Sequence, residues 1–202
     1  MTATAAPFGL RPIGTLGGGP VPAIRQYPIL STESTRICFG DVVKLTDAGA
    51  TTTIQKDTGT TTATPIGIFV GCRFTDLNSS QLTFSQQWSG AANTSGMAYV
   101  IDDPTVLFAI QADGAVIDDD LAANAALVQT ASSATLGISR VSLDISTTAT
   151  TATLPLRIVD WLGGYDGDEY GTTYPVMVCR FNAGHQLSLI AAGSTATAPS
   201  AA

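Results

Sequence analysis

Short runs of β-branched and aromatic residues, each broken within about ten positions by Gly, Pro or Asp, recur through most of this chain. That rhythm leaves room for many strands and turns and for almost no helix. "ICFGDVVKL" leads into "TDAGA", whose Asp and Gly reverse the chain before "TTTIQK". "TPIGIFVGCRFTD" is an apolar run punctuated by glycines, the pattern of a buried strand, with Gly67 and Gly71 marking bulges or close backbone approach. "QLTFSQQW" alternates, with Leu82, Phe84 and Gln86 on one face. "GMAYVIDDPTVLFAIQADG" supplies two further runs broken at Asp102-Asp103-Pro104. "GISRVSLDIS" alternates with a slip near Ser139, and "TATLPLRIVDWL" and "YPVMVCRFN" are separated by the acidic loop "GGYDGDEYGTT". One stretch reads as helix: "DDDLAANAALV", residues 118–128, where three aspartates suit an N-terminus and Ala and Leu follow. The expected architecture is all-β, a small barrel or sandwich with one short helix.

Two ends depart from this texture. Residues 1–27 contain "APFGLRPIGTLGGGPVPAI", which has no helical or strand period yet retains Phe8, Leu10, Ile13 and Leu16. Its prolines forbid a helix and limit the entropy lost on docking, and its glycine triplet permits a bend. Fully extended, these residues span at most roughly 90 Å, against a diameter of about 40 Å for a compact body of about 160 residues. An extended arm at 1–27 is therefore expected, ahead of a β-rich body at 28–189 and a flexible tail at 190–202. The alternative is that the segment straps its own barrel.

Charge and missing motifs narrow the function. Charged residues make up only 12 % of the chain, about half the usual share, and the net charge is −7. With its few arginines scattered and Lys44 and Lys56 its only lysines, the chain lacks the clustered cations that bind phosphate backbones, so no direct nucleic-acid contact is expected. No apolar run approaches a membrane span, and the start lacks the pattern of a signal peptide, which predicts synthesis in a cytoplasm and no membrane role. Cys38, Cys72 and Cys179 are widely spaced and odd in number, reading as buried hydrophobes. The single histidine, His185, has no serine in a nucleophile elbow to serve, and "TLGGGP" runs into prolines where a phosphate-binding helix would begin. Asp166, Asp168 and Glu169 share one loop, which is either a solvated hairpin tip or a calcium loop without EF-hand spacing. Neither enzymatic activity, cofactor nor metal is expected. Trp161, ending an apolar strand, and Tyr165 beyond it suit a core or subunit interface; with Trp88 they could alternatively form a sugar-stacking platform.

Taken in order, "APFGLRPI…GGP", "GDVVKLTDAG", "PIGIFVGCRF", "AYVIDDPTVLFAIQADG" and "TATLPLRIVDWL" resemble the head decoration, or capsid cement, proteins of tailed bacteriophages. The resemblance implies a virion component made in the host cytoplasm. It would bind the outer face of the capsid and stabilise it by bridging major capsid protein subunits, as a homo-oligomer, a trimer before a dimer. Phe8, Leu10, Arg11, Ile13 and Leu16 are the expected capsid-binding residues. The competing class is a carbohydrate-binding or fibre-like adhesion module on the virion surface.

Overall fold

The computed structural model describes residues 4–21, 24–47, 49, 52–90, 94–151 and 153–186. The expected tail, 190–202, lies outside them. The described residues form an all-β structure built from antiparallel strand pairs. One sheet has the order β1 (Arg11–Thr15), β10 (Val106–Gln111), β14 (Val176–Phe181), β13 (Leu156–Trp161), β11 (Asn124–Val128) and β12 (Ser142–Ala149). The second runs β2 (Arg25–Ile29), β9 (Gly96–Ile101), β6 (Gly67–Thr75), β4 (Val42–Asp47) and β5 (Thr52–Lys56), with β7 (Leu82–Ser85) also paired to β6. A short ribbon pairs β3 (Ile37–Cys38) with β8 (Gln87–Trp88). No helix among the described residues is long and apolar enough to cross a membrane.

Two cores organise these sheets. The first gathers Leu10, Phe108, Ile110, Leu127, Leu143, Ile158 and Phe181 from the first sheet and its flanks. The second gathers Ile29, Ile37, Ile54, Cys72, Phe74 and Trp88. Strands β4, β6 and β9 serve both. Val42, Ile68 and Ile101 belong to the first core, and their chain neighbours Val43, Phe69 and Val100 to the second. Because successive side chains leave opposite faces of a strand, these three strands are covered on both sides there. That accounts for the apolar run at 65–72, since a doubly covered strand has no face to give to polar residues.

Gly67 sits where a Cβ would lie 2.1 Å from the Ile101 carbonyl oxygen, and Gly71 occupies a register shift between β6 and β9. Both are the close-approach and bulge positions expected. The hairpin from β4 to β5 likewise falls where "TDAGA" places it.

The expected helix at 118–128 does not form. Only Asp118–Asp120 make a 3-10 turn, where the Asp120 carboxylate accepts the Ile117 N–H at 3.0 Å. Leu121 is extended and Ala122 has φ of 61°, which ends any helical path. Asn124–Val128 then runs as β11 between β12 and β13. Asn124 is held there from both ends of its amide: its Oδ1 accepts from Asn182 at 2.8 Å and its Nδ2 donates to the Thr151 carbonyl at 2.9 Å. Burial of Ala125, Ala126 and Leu127 favours the strand. Sheet pairing overrides the modest helix preference of alanine.

The leader is also not a detached arm. β1 pairs with β10 at the edge of the first sheet, and β2 pairs with β9 at the edge of the second. Leu10 is fully buried in the first core, with its N–H donating to the Gly40 carbonyl at 3.0 Å. Gly9 adopts φ of 77° where a Cβ would meet Ser139 at 2.4 Å, so glycine alone lets the chain enter here. Pro12 and Pro28 lie on edge strands, where the missing N–H costs little. Strapping of the protein's own body, the alternative reading of this segment, describes its backbone.

Candidate functional site

The leader divides its side chains between inside and outside. Leu10 faces the core and offers nothing to a partner, so it leaves the set of expected contact residues. Phe8 is half-buried with the Arg11 guanidinium 4.5 Å above its ring, a cation–π contact that leaves Arg11 exposed. Ile13 and Leu16 are outward, 44 % and 54 % exposed. The Leu16 N–H donates to the Thr105 carbonyl at 2.8 Å, and the turn that follows closes with Gly18 N–H on the Thr15 carbonyl at 2.8 Å. Two aliphatic side chains are thus presented on an anchored backbone beside an edge of β1 that no other described strand pairs. Sheet edges of this kind accept a further strand or a foreign surface.

A second apolar edge was legible as alternation but not as exposure. Leu82 and Phe84 of β7 are 58 % and 67 % exposed, with Phe84 opposite Arg73 on β6. Periodicity gives the shared face. Which face meets solvent depends on the sheet behind it.

Trp161 belongs to the first core, and Tyr165 and Tyr170 pack on it with ring centroids 5.0 Å away. Trp161 is covered, whereas Tyr165 and Tyr170 are exposed. Tyr170 donates to Asp118 at 3.2 Å, and that carboxylate holds the phenol pKa above its ordinary value. Trp88 lies in the other core, edge-on to Phe74, with its indole N–H on the Glu33 carbonyl at 2.9 Å. Trp88, Trp161 and Tyr165 consequently do not make one sugar platform. In the acidic loop, Glu169 is spent on backbone: Oε2 accepts the Val176 N–H at 2.8 Å. Among the described residues no group of three His, Cys, Asp or Glu is arranged to hold a metal ion.

His185 places its Nδ1 2.8 Å from the Ala63 carbonyl oxygen, a structural contact. The three cysteines are buried and free. Burial pushes the Cys72 thiol up to about 12 and Cys179 still higher, so neither is a thiolate near neutrality.

The best-developed polar cluster has no local sequence signal. Asp41 is fully buried, and its carboxylate receives the Cys38 N–H at 2.8 Å, the Lys56 ammonium at 3.0 Å and the Ser132 hydroxyl at 2.7 Å. Lys56 Nζ donates in turn to Ser132 Oγ at 2.7 Å. The Ser132 proton points to a carboxylate, and the ammonium is neutralised by that same group. This is a satisfied knot joining β5 to the segments before β4 and after β11. Its members come from three distant parts of the chain, and only the rarity of lysine marks one of them.

Compared with models of known families, with curated proteins and with solved structures, the chain shows no match.

Proposed function

We propose that the protein is an adhesive structural component that binds another protein's surface through its leader strand, and that this surface is the outer face of a tailed-phage capsid. The observation that carries the reading is the exposure of Ile13 and Leu16 on a backbone anchored by Leu10. Burying such a side chain is worth about 1.5–3 kcal/mol, and an edge strand already in place loses little further entropy on docking. The sequence resemblance to capsid cement proteins supplies the setting, with the major capsid protein as partner. Multiple copies add weak contacts through multivalency. A homo-oligomer, trimer before dimer, belongs to the same reading, with the Leu82 and Phe84 edge as the surface available for it.

The test is occupancy. The intact protein should be recovered with purified particles at a fixed ratio to the shell protein, measured by mass spectrometry. An Ile13→Asp/Leu16→Asp variant should keep its melting temperature and leave shells bare. Full decoration by that variant would overturn the assignment of the leader. Absence of the intact protein from the particles would overturn the virion setting.

A further inference from the structure

A cleft of about 610 Å³ opens where β5, the segment before β3 and the segment after β11 meet. That is within the size range of small-molecule sites. Its walls carry two cations, Arg36 and Lys56, together with the Gln129 carboxamide, the Ser132 hydroxyl and several threonines, and among the described residues no carboxylate lines it. On a chain of net charge −7 this is a local inversion of sign.

Three features of the walls specify a ligand. Lys56 is matched by Asp41, whereas Arg36 is not matched. One Arg36 N–H reaches the neutral Gln87 Oε1 at 2.9 Å, and among the described residues no carboxylate lies within ion-pair distance of its guanidinium. An unneutralised guanidinium in a cleft calls for a carboxylate or phosphate. The second feature is rigidity: the Gln129 Nε2 donates to the Gly59 carbonyl at 3.0 Å, which fixes that side of the cleft. The third feature is the surrounding hydroxyls, which both donate and accept. One ligand class has an anionic group and adjacent hydroxyl donors on a compact frame.

We propose that this cleft binds an anionic monosaccharide unit, carboxylated or phosphorylated, with Arg36 holding the anionic group and the threonine hydroxyls of the walls pairing with ring hydroxyls. Asp41 and Ser132 hold Lys56 in place before any ligand arrives. The site shares no residue with the exposed leader, so it stands or falls separately from the capsid reading.

Titrations of the full chain with D-glucuronate, D-glucose 1-phosphate, D-glucose and acetate, followed by amide chemical shifts, test the proposal. At least one anionic sugar should shift the amides of 35–36, 56–60 and 129–132, binding roughly tenfold tighter than glucose or acetate, the scale of one charge-assisted hydrogen bond in a partly solvated cleft. Which of the two binds names the anionic group. Arg36→Gln should reduce that affinity to the level of glucose without changing the melting temperature, and Thr58→Val/Thr60→Val should weaken every sugar alike. Three outcomes overturn the proposal: both anionic sugars leaving those amides unmoved, acetate binding as tightly as they do, or Arg36→Gln retaining the preference.

Discussion

Asp41 and Lys56 show what one buried charge demands of its neighbours. The carboxylate is sealed from water and depends on the ammonium, a backbone N–H and the Ser132 hydroxyl together. Removing one partner strands the other, which costs about 3–5 kcal/mol, whereas removing both charges costs much less. Lys56→Met should therefore lower the urea-unfolding free energy by that amount, and Lys56→Met/Asp41→Asn should recover part of it. Equal losses in the single and double variants would show that the ion pair carries no such coupling. A second prediction concerns acid. The Asp103 carboxylate accepts from the Thr105 hydroxyl at 2.6 Å and the Thr105 N–H at 2.7 Å, and these bonds, the hydroxyl's first, hold its pKa below the ordinary value. A depressed folded pKa contributes stability above the usual aspartate range, near 4, that is lost as pH falls through the lower folded value. The turn at 103–105 should thus stay closed at mildly acidic pH and open only in stronger acid. Thr105→Val should move the Asp103 titration, followed by its carboxyl carbon shift, back upward.

At the scale of elements, the leader strand works as a fastener with an outward side. Leu10→Ala should cost about 2–5 kcal/mol by the ordinary penalty for emptying a core site, while substitutions at Ile13 and Leu16 should stay within about 0.5 kcal/mol, as surface changes usually do. Denaturant midpoints on the three variants check this directly, and a mild Leu10→Ala would mean that the strand is not anchored there. Truncating residues 1–16 is a poor probe of function, because it removes a core residue along with the exposed ones. The strands at 42–56, 67–75, 156–161 and 176–181 were legible because their own composition and turns define them. β11 was not legible. "LAANAALV" satisfies a helix locally, and only the two flanking strands and the Asn124–Asn182 contact turn it into a ladder. The leader misled for a related reason: its prolines speak against helix, but an edge strand tolerates them, and the partner that accepts it lies about a hundred residues later in the chain. Of the candidate sites, Ile13, Leu16 and Tyr165 could be read as apolar residues in irregular segments. The Arg36 cleft could not, since its walls meet only after the sheets have formed.

For the molecule as a whole, the sharing of β4, β6 and β9 between two cores makes separate melting unfavourable. Opening either core strips one face from the same three strands. Trp161 sits in the first core and Trp88 in the second, so each tryptophan reports its own region. Trp88→Phe and Trp161→Phe variants should each give a single fluorescence transition in urea. Each transition should coincide with the loss of far-ultraviolet dichroism of the same variant, the signature of two-state unfolding. A fluorescence transition displaced from the dichroism in either variant would show that the cores are independent.

Synthesis runs from N- to C-terminus, and the seats for β1 and β2 are β10 and β9. A nascent chain must therefore carry β1 and β2 unclaimed until residues 96–111 have left the ribosome. Neighbouring ribosomes on one message bring several such strands close together, each matching a seat on the next chain as well as on its own. Exchange of the first strands between sister chains is the natural error of this topology, and dilution during translation is the condition that suppresses it.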